Sequence, residues 1–358
     1  MHKLALTLAF VLTALACAAQ EVTWSVDMNS IFDNREGSSN DYYCIDQTLF
    51  LTRLAPEIGI RFLPGQKIAG GVSWIQPVGN GWRDYKICPT LYYNYNVGHW
   101  RMNFGMFPRT QLMEPMPTVL WSDSLAYHEP NIRGMMLQYM AAKGYAEAFL
   151  DWRSLQSETH REAFNLNFNG IWNPCGALLL GGHLQYSHLA KQKDAPLDQG
   201  VNDDVTINPY VGLNLAKAVG ADSLVVKAGY VQTLERDRSG ENKWKSPKGA
   251  LIDIVVEKGI FGMKETMFAG ENLFPLYGKY GHLLNLGDPY FQAPFYSRTN
   301  VYAYIVRNQF VNLVASLDYH YTKEEKGFWQ KLLLRVYLDN GLWKHKHNMK
   351  KPYLKNLY

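Results

Sequence analysis

From Arg161 to Trp172 apolar and polar residues alternate without a slip: Phe164, Leu166, Phe168 and Trp172 fall on one face, Asn165, Asn167 and Asn169 on the other. The turn Asn173-Pro174-Cys175-Gly176 reverses the chain. Leu178, Leu180, Leu184 and Tyr186 then resume the apolar face, and His183, Gln185 and Ser187 the polar one. A period of two marks strands with unlike faces. Each limb of this hairpin, Arg161 to His188, is about as long as the 9–11 tilted residues a strand needs to cross a bilayer. A soluble sheet also buries one face and wets the other, so the hairpin gains meaning only from its neighbours.

The neighbours repeat it. A first strand starts at Val22 and ends in Phe32-Asp33-Asn34-Arg35-Glu36, and strands at 47–62, 67–76, 85–97 and 99–108 follow. After a long connection, Arg109 to Asn131, come 132–142, 145–153 and the hairpin. Beyond it lie 205–215, 223–233, 250–257, 261–268, 295–306, 311–321 and 328–338. Charges keep to one face, as with Arg53, Glu57 and Arg61 against Phe50, Leu54, Ile58 and Phe62. The count is about sixteen, and connections alternate long with short. A transmembrane barrel has short periplasmic turns and longer outer loops, whereas a soluble all-β protein has no reason to sort its loops by parity. The expected fold is all-β, a transmembrane antiparallel up-and-down β-barrel.

The ends and the composition agree with export. Residues 1–19 carry Lys3, an apolar run and small residues ending Cys17-Ala18-Ala19, the form of a secretory signal peptide. Cys17 offers a rival reading, a lipoprotein, but Ala14-Leu15-Ala16 lacks a leucine three residues upstream. No other stretch approaches the length of an apolar membrane helix, yet aromatic residues make up 14% of the chain. The barrel is expected over 20–343 and a basic tail over 344–358. Cys44, Cys88 and Cys175 are too few for a disulfide scaffold. A net charge of +4 is too mild to point to nucleic acid.

With the export signal, the parity of the loops and the inward charges in place, the chain resembles a Gram-negative outer-membrane porin-like barrel. Stretches that resemble blocks of such a family are Phe32-Asp33-Asn34-Arg35-Glu36, Arg53-Leu54-Ala55-Pro56-Glu57, Ser122-Asp123-Ser124, Asp151-Trp152-Arg153 and Gly287-Asp288-Pro289-Tyr290. The resemblance implies a channel for small hydrophilic solutes in the cell outer membrane. Its third outer loop, 109–131, would fold into the lumen as a constriction. Glu114, Asp123 and Glu129 on that loop would face Arg53, Lys86 and Arg101 on the wall, with Arg133, Arg153, Arg161 and Arg298 also lining the pore. Inward basic positions, Lys227, Lys331 and Arg335 among them, outnumber acidic ones such as Asp27, Glu147 and Asp318, so a mild preference for anions is expected. Partners would be outer-membrane lipid and small solutes, with a homo-oligomer left open.

The alternative is a barrel plugged by its loops and serving as a surface-binding, assembly or lipid-modifying platform. Candidate Ser/His chemistry is thin. His183 and Ser187 point inward by alternation, and neither His183, Ser187 and His188 nor Ser122-Asp123-Ser124 with His128 keeps a spacing with a stated mechanism. His345 and His347 among lysines are a weak metal signal. No catalytic residue, metal site or cofactor is expected, and the chain is expected not to be an enzyme.

Overall fold

The structure is a computed structural model that describes residues 21–37, 43–196 and 199–343. The expected signal peptide and basic tail, with His345 and His347, lie outside the described residues.

Strands β1 (Glu21–Gly37), β2 (Gln47–Leu63), β3 (Gln66–Pro77), β4 (Lys86–Val97) and β5 (Trp100–Pro108) precede the long third outer loop. β6 (Asn131–Ala141), β7 (Gly144–Ser154), β8 (Ala163–Trp172), β9 (Leu178–Leu189), β10 (Asn202–Asn214) and β11 (Ser223–Asp237) follow it. After β12 (Trp244–Lys245), a two-residue piece in an outer loop, come β13 (Lys248–Lys258), β14 (Phe261–Gly270), β15 (Phe295–Arg307), β16 (Val311–Tyr321) and β17 (Lys326–Asp339). Leaving β12 aside, sixteen strands pair antiparallel in chain order, and β1 closes on β17 from Ser25↔Asp339 to Gly37↔Gly327. Closure removes both sheet edges, so the ladder satisfies its own backbone groups, as lipid requires.

The alternation becomes an apolar exterior and a polar lining. Phe104 and Ile58 are 63% and 64% exposed on the outside, while Asn165 and Asn167 are 1% exposed on the inside. In the β8–β9 hairpin the lining is a cross-strand ladder: Asn165 donates to Ser187 Oγ (2.5 Å) and Gln185 to Asn167 Oδ1 (2.9 Å), and His183 Nδ1 lies 3.1 Å from Asn169 Oδ1. The short connections turn on glycines. Gly98 and Gly259 hold φ near +60°, which a side chain would strain.

Strands run further outward than expected at several places. β10 begins at Asn202 rather than Val205, and β11 continues past Thr233 to Asp237. The extra residues are charged or polar, so hydropathy alone reads them as loop. Their acidic side chains are nonetheless buried, Glu235 at 0% and Asp203 at 1%, because each finds partners. Loop parity has two exceptions: a helical turn, Ala216–Val219, in the β10–β11 connection, and a tight outer turn between β16 and β17.

The largest apolar cluster lies inside the barrel. Val119 and Leu120 of the third outer loop pack with Leu273, Phe274, Tyr290 and Phe291 of the seventh, against Phe268 and Tyr296 of the wall.

Candidate functional site

The third outer loop leaves β5 at Arg109, whose guanidinium closes the neck of the loop. It pairs with Asp151 of β7, donates from Nε to Glu129 O (2.7 Å) and lies 3.8 Å over the ring of Trp121. The loop then tracks the inner wall. Gln138 donates to Gln111 O (2.9 Å), Met113 N donates to Glu147 (2.9 Å), and Met116 Sδ meets Asn169 (3.4 Å). It next joins the seventh outer loop through two backbone bonds, Ser122 N to Leu286 O and Asp288 N to Thr118 O, both 2.8 Å. Gly287 lies between these bonds, where a Cβ would stand 2.3 Å from Val119 O.

A short helix, α1 (Asp123–His128), follows, with the Ser122 hydroxyl accepting from Leu125 N. Asp123 reaches the opposite wall and accepts from Arg298 of β15 and Lys331 of β17, each at 2.7 Å. Asp318 of β16 holds the same two cations at 3.1 and 2.8 Å. Beside it, Arg35 of β1 donates to Ser124 Oγ (2.7 Å), pairs with Asp33 and lies 4.3 Å over Trp329. The Tyr127 hydroxyl donates to Asp33 (3.2 Å). The loop is thus bonded to β6, β7 and β8 on one side and to β1, β15 and β17 on the other.

Two groups in the loops carry distinct charge states. Burial works against the charged form of Asp123, but Arg298 and Lys331 hold its carboxyl well below the usual range. Asp288 is buried and takes no direct bond from a cation among the described residues. Burial pushes it up to about 6, against the pull of Arg298 and the bond from Tyr290 N.

Cavities lie on both sides of this cross-brace. On the periplasmic side, a cavity of about 620 Å³ is lined by Glu114, Asp123, Glu257, Lys264, Arg298 and Arg307, among others. A second of about 630 Å³ lies between Glu114, Tyr145 and Lys227. On the outer side, one of about 270 Å³ is lined by Arg35, Ser122, Asp123, Ser124, His282 and Asp288, among others. Asp123 faces both the outer cavity and the first inner one.

The expected site residues fall into several groups. Asp123 and Arg298 meet directly. Lys86, Glu129 and Arg133 form a second cluster, Lys86 2.7 Å and Arg133 3.0 Å from Glu129. Arg53 is buried against Asp27 (3.1 Å), which Arg335 also binds. Glu114 lies 3.9 Å from Lys227, and Arg101 makes no ion pair among the described residues. Arg153 anchors the seventh outer loop through His282 O (3.2 Å) and Leu283 O (2.7 Å). Arg161 holds the fifth through Ala190 O, Gly200 O and Asn202. Sequence reasoning missed Arg35, Asp33, Arg109, Lys264 and Asp288. Continuing the inward row Asp27, Asn29, Ile31 by two steps reaches Asp33 and Arg35, and Asp288 lies in the stretch Gly287-Asp288-Pro289-Tyr290, whose resemblance to a family block gave it no role in the site.

The serine and histidine candidates take other roles. His183 and Ser187 belong to the inner ladder, Ser122 caps α1, Ser124 accepts from Arg35, and His128 offers its carbonyl to Lys86. His188 points outward, its ring tilted against that of Phe164 at 5.0 Å.

A family model described as lipid A 3'-O-deacylase-type matches residues 16–338. Similar solved structures are outer-membrane porins of Pseudomonas. OpdL of Pseudomonas aeruginosa superposes with a TM-score of 0.57 at 11% identity, covering 89% of this chain and 99% of that one. OccK2 of the same organism, solved with glucuronate, gives 0.51 at 9%, covering 90% and 99%. Pseudomonas putida OprB gives 0.52 at 9%, covering 91% and 96%. At these identities the likeness is one of fold. No curated protein matches the sequence.

Proposed function

We propose that this chain, which belongs to the lipid A 3'-O-deacylase-type family, is a narrow channel in the outer membrane for small hydrophilic solutes with a mild preference for anions. The single observation that carries this reading is the position of Asp123, at the floor of the outer cavity and the roof of an inner one. The third and seventh outer loops share an apolar core inside the barrel, away from these charges. The solute path therefore runs along the β15–β17 and β1 wall, through a constriction edged by Arg35, Asp123, Arg298 and Lys331. Acidic groups on the loop and basic groups on the wall set a transverse field there. The lining of the inner cavity as a whole carries Lys264, Arg298, Arg307 and Lys331 against Glu114, Asp123 and Glu257, a slight excess of positive charge. A small organic anion is the class of solute this lining accommodates. Of the other expected lining residues, Lys86, Glu129, Arg133 and Arg101 border the lumen away from the constriction, while Arg53, Arg153 and Arg161 hold wall and loops in place.

Single-channel recording in a planar bilayer tests the reading. Small discrete steps with a reversal potential on the anion side under a KCl gradient are expected. No current, or a cation-selective current, overturns it.

The family description favours a second reading, a plugged barrel that cleaves acyl esters of lipid A. It predicts no conductance and release of fatty acid when the purified protein is incubated with lipid A in micelles. Mass spectrometry of the products separates the two.

A further inference from the structure

On β14 the inward row is Gly262, Lys264, Thr266 and Phe268, so Met263, Glu265 and Met267 point out of the barrel. A carboxyl therefore stands on the lipid-facing side. Other charged or histidine residues at outward positions, such as Glu36, His188, Asp203, Arg236, Lys248 and Lys326, lie within three residues of a strand end. Headgroups and water reach them there. Among the described residues Glu265 is the exception. At ~3.4 Å per residue and a tilt of about 40°, it lies ~10 Å in depth from Phe261 at the periplasmic end and ~10 Å from Ala269 at the outer end. That is the middle of an apolar band about 25 Å tall, the costliest depth for such a group.

Its hydrogen bonding is half complete. Thr299 of β15, the cross-strand neighbour, donates from its hydroxyl to Glu265 Oε2 at 2.5 Å. The neighbour on the other side, Ile254 of β13, is apolar, and among the described residues Glu265 has no cation partner. Two positions toward the outer end of β15, the outward Ser297 makes no side-chain hydrogen bond among the described residues. Around this pair the face is apolar and open, with Val301 49% and Leu317 50% exposed. Each copy thus carries a carboxyl oxygen to spare and a hydroxyl to spare. Lipid chains can use neither.

A second barrel inserted the same way can use both. Two such copies are related by a two-fold axis along the membrane normal, which keeps every residue at its depth and exchanges left for right. With that axis between β14 and β15, Glu265 of one copy faces β15 of the other, where Thr299 lies near its own depth and Ser297 one pleat above. The same contacts form in reverse. The spare acceptor of each copy then meets the spare donor of its partner, so the face is complementary to itself.

We infer that the β14–β15 face is a docking surface for a second copy of this chain, with Glu265 and Ser297 bonding across a two-fold axis in mid-membrane. The test counts bleaching steps of single fluorescent spots in lipid bilayers as the protein-to-lipid ratio is lowered. The dye sits on the exposed Cys175, in a C44A/C88A background. Two-step spots that give way to one-step spots on dilution are expected. E265L removes the acceptor from both halves, and two such bonds are together worth roughly tenfold in association. Dimers of E265L should therefore vanish at a protein-to-lipid ratio about tenfold higher than in the parent, and S297A should shift the same way. E265L places an apolar side chain against lipid, and heat-shifted migration on a gel verifies that both variants fold. One-step spots at every ratio, whether this face meets lipid or a different protein instead, overturn the inference. So does an E265L barrel that pairs as strongly as the parent.

Discussion

Replacing Asp123 by asparagine isolates the charge at the constriction from its packing. Asp123 accepts from Arg298 and Lys331, and each charge-assisted hydrogen bond contributes about 1.5–3 kcal/mol. Asp318 grips the same two cations, and the amide keeps one acceptor oxygen, so the wall and helix α1 stay in place. What changes is one unit of charge on the path. Across about 5 Å of water-filled lumen a unit charge shifts a monovalent ion by ~0.8 kcal/mol. Screening at about 0.1 M salt, with a Debye length of ~10 Å, reduces this to ~0.5 kcal/mol. The shift is favourable for an anion and unfavourable for a cation. The permeability ratio therefore moves by about fivefold toward anions, ~1 kcal/mol in total. The assay is the reversal potential of single channels under a KCl gradient, with heat-shifted gel migration as the check on folding. An unchanged reversal potential in a folded D123N barrel, or one displaced toward cations, would place the ion path elsewhere and refute the reasoning.

Three further outcomes follow from the same geometry. In G287A the new Cβ would stand 2.3 Å from Val119 O, so the two loops must part, and single-channel conductance should rise or flicker while the barrel stays heat-modifiable. Asp288 has its pKa raised by burial to about 6. It is therefore neutral below that value and charged above it, and the stability it lends the seventh loop is complete at low pH and lost as pH rises through about 6. Anion preference should be stronger at pH 5 than at pH 7.5, and D288N should abolish the difference in reversal potential. R109Q removes one partner of the buried pair with Asp151, a change that costs about 3–5 kcal/mol. Protease cleavage between Thr110 and Glu129 should then be faster than in the parent, with the strands still protected.

Sequence alone determined the barrel. A strand's side chains alternate by stereochemistry, so a run such as Phe164 to Trp172 declares which residues meet lipid and which meet the lumen before any partner is known. Loop lengths sorted by parity then fixed the direction of each strand. The same alternation placed Arg298, Lys331 and Asp318 on the inner wall, because a charge facing hydrocarbon is costly. It did not tell that these three converge, nor that Asp123, 175 residues from Arg298 in the chain, completes them. Those facts depend on the path of loops that carry no periodic signal. Only the closed structure brings Thr118 to Asp288 and Ser122 to Leu286, joining two loops into one apolar core. It also made neighbours of His188, Asp203 and Arg236 on three strands, since register between strands, not position along any one of them, decides which outward residues meet.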